Sequence, residues 1–380
     1  MALTKTALLY VIENERYGGG ERAFAQLING LDKTRYSVHA ACLTGTSGSQ
    51  TFTDEISGAA RVSHLDLRRL VSPGAVLSLR RIIRDNGIKI IHSQGPRADF
   101  YARLAARLAG GVRLVSTVAS PVEEYDVSPA RKALYRVLDG LSSKACDRFV
   151  AVARHIERKL LKKGIPADKI TLVYNGVDTA ALASAGEAAP EVRSRYTVNQ
   201  GEIMLCACSR LSAEKGLFIL LDALASSVSA GLPLKCVIAG EGPLRAALEE
   251  RSEKLGLRGR ALFVGFLSDV RYLLAAADGF LLPSLREGLP MGLLEAMAMG
   301  KPVIASDIEG VNEVVESGRN GLLVPDGNAA ALAAAIKLLL GDRAKASEMG
   351  RTGQADISER FGIATMLAGH ERIYSELTAD

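Results

Sequence analysis

From end to end, this 380-residue chain alternates short apolar runs with longer amphipathic ones. "TALLYVI" leads through "ERYGGG" into the helical "ERAFAQLINGL", and "YSVHAACL" then reads as a strand. "VLSLRRIIRDNG" has helical spacing, "IKIIHS" is a short buried strand, "RADFYARLAARLAG" a helix and "VRLVSTV" a strand again. Parallel neighbours need a crossover, and the crossover lies on a sheet face, so this order predicts parallel sheets covered by helices on both sides. The pattern lapses in "ASAGEAAPEVRSRYTVNQ", a small-residue and polar stretch that reads as a connection. A second set follows: "EIMLCACS", a helix from Lys215, "LKCVIAG", a helix from Pro243, "ALFVGF", "GFLLPS", a helix from Pro290, "PVIASD" and "GLLVP". The expected fold is α/β, with two doubly wound parallel-sheet domains facing one another: residues 1–180, a connection at 181–200, and residues 201–360. Ligands of open α/β sheets bind outside the carboxyl ends of the strands, so the active site is expected in the cleft between the domains.

Bulk properties agree with two domains, since one hydrophobic core rarely serves a chain of this length. Hydrophobic residues make up 48% and charged residues 23%, an apolar but globular composition. No apolar run reaches the ~18–20 residues that span a bilayer. The N-terminal "MALTKTALLYVIENERYGGG" turns acidic and glycine-rich where a secretory segment would present a cleavage site, so a cytoplasmic location is expected. The five cysteines are odd in number and lack metal-site spacing, which fits a reducing compartment and a role as small core hydrophobes.

Charge is unevenly distributed. Residues 1–190 hold 27 Lys+Arg against 18 Asp+Glu, a net of +9; the remainder holds 20 against 24, a net of −4. Much of the excess lies between Arg131 and Gly164, where basic and apolar residues alternate at helical spacing. Such a run serves either as a solvated helix face or as a surface for anionic lipid head groups or an acidic acceptor. Nucleic acid is disfavoured, because no aromatic stacking platform or reading module accompanies the patch.

In "AGEGPLRAAL", Gly240 and Gly242 begin like a dinucleotide fingerprint, but the third glycine position is Arg245 and no acidic residue closes a strand ~20 residues on. A tight turn with Pro243 at the start of a helix is the plainer account.

The segment "GFLLPSLREGLPMGLLEAMAMGKPVIASD" carries two glutamates eight positions apart, Glu287 and Glu295, inside an otherwise apolar run. On the expected scaffold Glu287 lies on a loop after a strand, and Glu295 lies in the helix that opens at Pro290. A helix N-terminus favours phosphate. Carboxylates accept hydrogen bonds from vicinal hydroxyls, as sugars and ribose present them. Arg210 and Lys215 in "SRLSAEKG" follow another strand end and suit a diphosphate. Singly, Glu287 also suits a helix cap and Lys215 a surface charge; together the four describe a nucleotide-sugar site.

These residues resemble the marks of retaining glycosyltransferases of family 4, of the lipopolysaccharide and cell-surface polysaccharide type: an E-x7-E motif, here Glu287 and Glu295, and an upstream Arg/Lys pair, here Arg210 and Lys215. The resemblance covers nearly the whole chain, through "YGGGERAF", "IIHSQGPRADFYARLAARLAG", "VYNGVD", "IAGEGPLR", "VGFLSDV", "GVNEVVESGRNGLLVPDGN" and "FGIATMLAGHERIYSEL". It implies the GT-B fold of two Rossmann-like domains, with a helix in 361–380 crossing back to the first. It implies that Glu295 holds ribose hydroxyls, Glu287 the donor sugar, and Arg210 with Lys215 the diphosphate, the last three being catalytic. Val264, Gly265, Phe266 and Leu267 would border the base, and Leu289, Pro290, Met291 and Gly292 would face sugar and phosphate. Gly19 and Gly20 would let the first loop approach the donor. Transfer would proceed by front-face substitution without a metal or other cofactor, the leaving phosphate helping to take the acceptor proton. The acceptor would be a glycan or glycolipid, lipid-linked or of lipopolysaccharide type, at the inner face of the cytoplasmic membrane.

One departure stands out. Many family members carry a histidine in a T-x-H segment near the donor sugar, where this chain has Thr117, Val118 and Ala119. Either Gln94, Ser93 or Ser120 takes its space or the donor sugar differs from the common ones. His92 suits a structural role as well as a site role. A sugar-nucleotide epimerase of the same architecture and a non-catalytic nucleotide-sugar-binding protein are the competing readings.

Overall fold

A computed structural model describes residues 5–14, 17–44, 50–67, 72–120, 129–183 and 188–379. The chain divides into two compact units, Met1–Gly176 with Ile363–Asp380, and Val177–Gly362.

The first unit is built on seven strands: β1 (Thr6–Glu13), β2 (Tyr36–Thr44), β3 (Arg61–Asp66), β4 (Ile90–Gln94), β5 (Arg113–Val118), β6 (Arg148–Ala151) and β7 (Ile170–Leu172). All pairings are parallel, in the order β3-β2-β1-β4-β5-β6-β7. Helices on both faces explain the unbroken apolar runs, since every residue from Ala7 to Ile12 is buried. β3 and the short β6 and β7 lack such runs and escape a reading by hydrophobic pattern.

The second unit holds β8 (Ile203–Cys208), β9 (Leu234–Ala239), β10 (Ala261–Gly265), β11 (Gly279–Leu282), β12 (Val303–Ser306) and β13 (Leu322–Val324), again all parallel, in the order β10-β9-β8-β11-β12-β13. In each sheet the winding reverses beside the first strand, between β1 and β4 and between β8 and β11. Such a reversal opens a crevice at the carboxyl ends.

Two expectations need correction. The stretch 181–200 belongs largely to the second unit: residues 189–195 form a helix, and Arg193 donates to Ala276 O (2.9 Å) and Glu202 O (2.8 Å) and pairs with Asp278 (3.0 Å). Its arginine, rather than an apolar face, ties it down; residues 184–187 lie outside the described residues. The basic run 131–164 is likewise not one helical surface. It contains β6 between the helices Pro129–Ser142 and Arg154–Lys162, and Arg148 is engaged by Asp168 O and Glu376.

The last helix, Ile363–Ala379, joins the core of the first unit through Met366, Ile373, Tyr374 and Leu377. Tyr374 also enters a buried polar chain: its hydroxyl lies 2.7 Å from Tyr10 Oη and 2.6 Å from His92 Nδ1, and His92 Nε2 lies 2.7 Å from Thr117 Oγ1. Burial, with a smaller contribution from His370, pushes the His92 pKa well down and keeps the ring neutral. With both nitrogens committed, His92 is a structural residue.

Candidate active site

The site in the second unit follows from strand order. β8 and β11 are neighbours, Phe280 standing opposite Cys206, so the loops leaving their carboxyl ends meet. Lys215, after β8, donates from Nζ to Glu287 Oε1 at 2.8 Å across 72 positions of sequence. The same oxygen accepts from the buried Ser284 hydroxyl at 2.7 Å. Leu285 N donates to Glu214 O at 2.8 Å and stitches the two loops together. Gly216 makes the fit possible: its backbone is left-handed (φ +62°), and a Cβ there would stand 2.0 Å from Pro283 O.

Arg210 lies at the exposed end of this cluster. Its Nη2 donates to Glu214 Oε1 at 3.1 Å, and Ser212 Oγ donates to the same oxygen at 2.6 Å. Burial pushes the Glu214 carboxyl up, but the Ser212 hydroxyl, its own amide and the charges of Arg210 and Lys215 outweigh this and hold it below the usual carboxylate range. Two cations and two carboxylates thus alternate along one edge.

The helix Met291–Ala298 starts four residues after Glu287. Pro290 is its N-cap in extended conformation (φ −74°, ψ 111°) rather than a residue of its first turn, and Leu294 N donates to Pro290 O at 3.2 Å. The Met291 and Gly292 amides precede that first intrahelical bond, as helix starts require. A Cβ at Gly292 would lie 3.3 Å from Cys208 O, so the helix start packs on the end of β8. Leu289, Pro290 and Met291 are buried and Gly292 half-buried. Glu295 is 3% exposed, enclosed on the body of the helix. Four cysteines are buried and none of the five forms a disulfide; Cys208, half-buried, lies at this edge.

Gly240 and Gly242 have a structural use. A Cβ at either would collide with the Ser209–Leu211 backbone, 1.8 Å from Ser209 O and 2.3 Å from Leu211 O, and Leu211 N donates to Glu241 O at 3.0 Å. The glycines let the β9 loop clasp the loop bearing Arg210. Val264, Gly265 and Leu267 are half-buried and Phe266 exposed at the end of β10, two strands from β8 in the sheet. Gly240 N donates to Gly265 O (2.8 Å) and links the end of β10 to the β9 loop.

In the first unit, Gly19 opens the helix Gly19–Gly30, and a Cβ at Gly20 would stand 2.7 Å from Gln94 Nε2. Gln94 therefore lies over that helix start, at the carboxyl end of β4. Ser93 is withdrawn, 1% exposed and donating to Asp99 Oδ1 at 2.6 Å. Asp99 also accepts from Ser116 (2.7 Å) and lies 3.5 Å from Arg103, which pairs with Asp139 at 3.0 Å. Sequence spacing gave no hint of this buried network. Ser120 and Ala119 are half-buried just beyond β5.

Known proteins match both units. Residues 17–181 match the model for Glycosyltransferase Family 4, and residues 189–356 match Glycosyl transferases group 1. The alpha-D-kanosaminyltransferase of Streptomyces kanamyceticus is 30% identical over 276 residues, 69% of this chain and 70% of that one. A GDP-mannose-dependent alpha-(1-6)-phosphatidylinositol monomannoside mannosyltransferase of Mycobacterium tuberculosis is 27% identical over 367 residues, 93% of each chain. Among solved structures, Anabaena HepE in complex with UDP and glucose shares the fold, with a TM-score of 0.84 at 22% identity over 98% of this chain and 100% of that one. Two doubly wound units, with cations and carboxylates gathered at a switch point, make up a sugar-transferring enzyme of the GT-B class. The chain belongs to the family 4 glycosyltransferases.

Proposed function

We propose that the enzyme moves a sugar, with retention at the anomeric carbon, from a nucleoside-diphosphate-sugar to a lipid-linked or lipopolysaccharide-type glycan. The observation that carries this reading is the Lys215–Glu287 pair beside Arg210, at the end of the helix whose first amides belong to Met291 and Gly292. Breaking the bond between the anomeric carbon and the phosphate oxygen sends its electron pair to the diphosphate and leaves an oxocarbenium-like sugar. Stabilisation of that growing negative charge is the largest service a protein can supply here. Arg210 and Lys215 take this role, with the Met291 and Gly292 amides adding their dipoles. Glu287, already fixed by Lys215 and Ser284, is suited to orient sugar hydroxyls, and Glu295 to hold the ribose. The acceptor oxygen bonds to the anomeric carbon on the face the phosphate leaves, and its proton passes to the departing phosphate oxygen.

Two features support a lipid-linked acceptor. The mycobacterial relative is named for a phosphatidylinositol monomannoside. In the first unit, the helices Pro73–Asp85, Pro96–Ala109 and Pro129–Ser142 expose Leu77, Leu104, Leu108 and Val137 beside Arg81, Arg107 and Arg136. Apolar side chains among arginines suit the head-group boundary of an anionic bilayer. Among the described residues no helix is long and apolar enough to cross a membrane. Contact would be peripheral, at the inner face of the cytoplasmic membrane.

Thermal unfolding of wild type and Glu295→Ala with UDP, GDP, ADP and NAD tests the donor site. A ligand at ~100 times its Kd stabilises by about 2.7 kcal/mol. Stabilisation by one nucleoside diphosphate, lost in the variant, is expected; stabilisation by NAD alone, or by no diphosphate, would overturn the assignment. Co-sedimentation with phosphatidylglycerol vesicles but not phosphatidylcholine vesicles, lost in a Leu104→Ser/Leu108→Ser variant, tests the membrane face.

A further inference from the structure

Arg210 is the residue of the site most in need of support, since its side chain is 52% exposed and an unrestrained guanidinium samples many rotamers. It pairs with Glu214, which is sequestered with a side chain only 12% exposed. Three bonds hold Glu214 in place or use it. Its Oε1 accepts from Arg210 and from the buried Ser212 hydroxyl, and its carbonyl accepts from Leu285 N of the loop that carries Glu287. The neighbouring Lys215 adds its charge. Glu214 is thus the point at which the Arg210 loop, the Lys215 turn and the Glu287 loop meet.

The geometry of the Arg210 bond is informative. It uses Nη2 alone, at 3.1 Å, and among the described residues neither Nε nor Nη1 has a hydrogen-bond partner. A fork held by one nitrogen can present the others to an incoming phosphate without releasing its anchor. Glu214 therefore steadies Arg210 rather than competing with the diphosphate for it. Its second oxygen, Oε2, is buried and has no partner. A carboxylate set there for burial alone would be better replaced by an apolar side chain.

We propose that Glu214 is a positioning residue for glycosyl transfer, holding the Arg210 guanidinium where it meets the diphosphate. This rests on the reading of Arg210 as a diphosphate ligand. The test is calorimetric titration of wild type, Arg210→Ala, Glu214→Ala, Glu214→Gln and the Arg210→Ala/Glu214→Ala double variant with UDP, GDP and ADP, following the tightest of the three. Arg210→Ala is expected to weaken that nucleotide about 10-fold or more, and Glu214→Ala about 3- to 10-fold. Glu214→Gln keeps an amide oxygen for Arg210 and Ser212, so its affinity should stay within about 2-fold of wild type. The double variant should bind no more than about 2-fold worse than Arg210→Ala, because a residue acting through another has nothing left to do once that other is gone. Thermal unfolding of the same variants separates misfolding, which Glu214→Gln is designed to avoid. Fully additive losses, or a Glu214→Ala variant that binds as tightly as wild type, would overturn the proposal while leaving the donor site standing. No nucleotide binding by wild type, or no loss in Arg210→Ala, would instead remove the diphosphate reading of Arg210 and the proposal with it.

Discussion

Gly216→Ala is the substitution whose cost the structure specifies most closely, because the second unit supplies its own control. Gly216 and Gly256 share a left-handed backbone, φ +62° and +69°. Alanine in that conformation costs about 1 kcal/mol at either position. The surroundings differ: a Cβ at Gly216 would stand 2.0 Å from Pro283 O, whereas nothing lies within 4 Å at Gly256. Contacts under 3.0 Å are essentially never observed for a Cβ, so one loop must move by about 1 Å. Such overpacking adds about 1–3 kcal/mol, giving about 2–4 kcal/mol for Gly216→Ala against about 1 kcal/mol for Gly256→Ala. In a unit of this size the melting midpoint should fall about 5–15 °C in the first and about 2–4 °C in the second. The displaced backbone joins Lys215 to the strand end preceding Glu287, and misplacement by an ångström can cost transfer about 100-fold. Differential scanning calorimetry and sugar-transfer rates measure the two effects. Equal losses in the two variants would refute the argument, since the clash with the Pro283 backbone is present at Gly216 and absent at Gly256.

Tyr374→Phe strips one partner from both His92 and Tyr10, whereas Tyr10→Phe leaves Tyr374 bonded to His92. The first should destabilise by about 2–4 kcal/mol and the second by about 1 kcal/mol in urea unfolding, and the reverse order would refute the chain as drawn. Acid should weaken the first unit. Burial drops the His370 pKa from 6.5 to about 4, so between these values the unfolded chain binds a proton that the folded chain refuses. Stability from this group is full above pH 6.5 and falls by roughly 3 kcal/mol as the pH drops to 4, with His92 adding in the same direction. Unfolding midpoints that do not change between pH 7 and pH 4.5 would contradict it.

Legibility in the sequence depended on how local the cause was. All six strands of the second unit and the central strands of the first could be read from apolar runs bounded by turn residues, because a parallel strand buried on both faces needs little else. β3, β6 and β7 could not, since their places depend on neighbours already in the sheet. The basic run 131–164 misled for the same reason: helical spacing does not reveal that Arg148 begins a strand held by Asp168 and Glu376.

The sequence by itself determined the α/β class and the two-unit organisation, and it singled out Arg210, Lys215, Glu287 and Glu295 as candidates for the site. Residue type and position after a strand are local properties, and local properties are written in the chain. Only the tertiary structure decided which of these residues meet. Laying β8 beside β11 turned Lys215 and Glu287 into an ion pair across 72 positions, and Tyr374, 282 positions away, drew His92 into a buried hydrogen-bond chain. Strand order and helix docking follow from the summed burial of two cores, and no single segment carries that information.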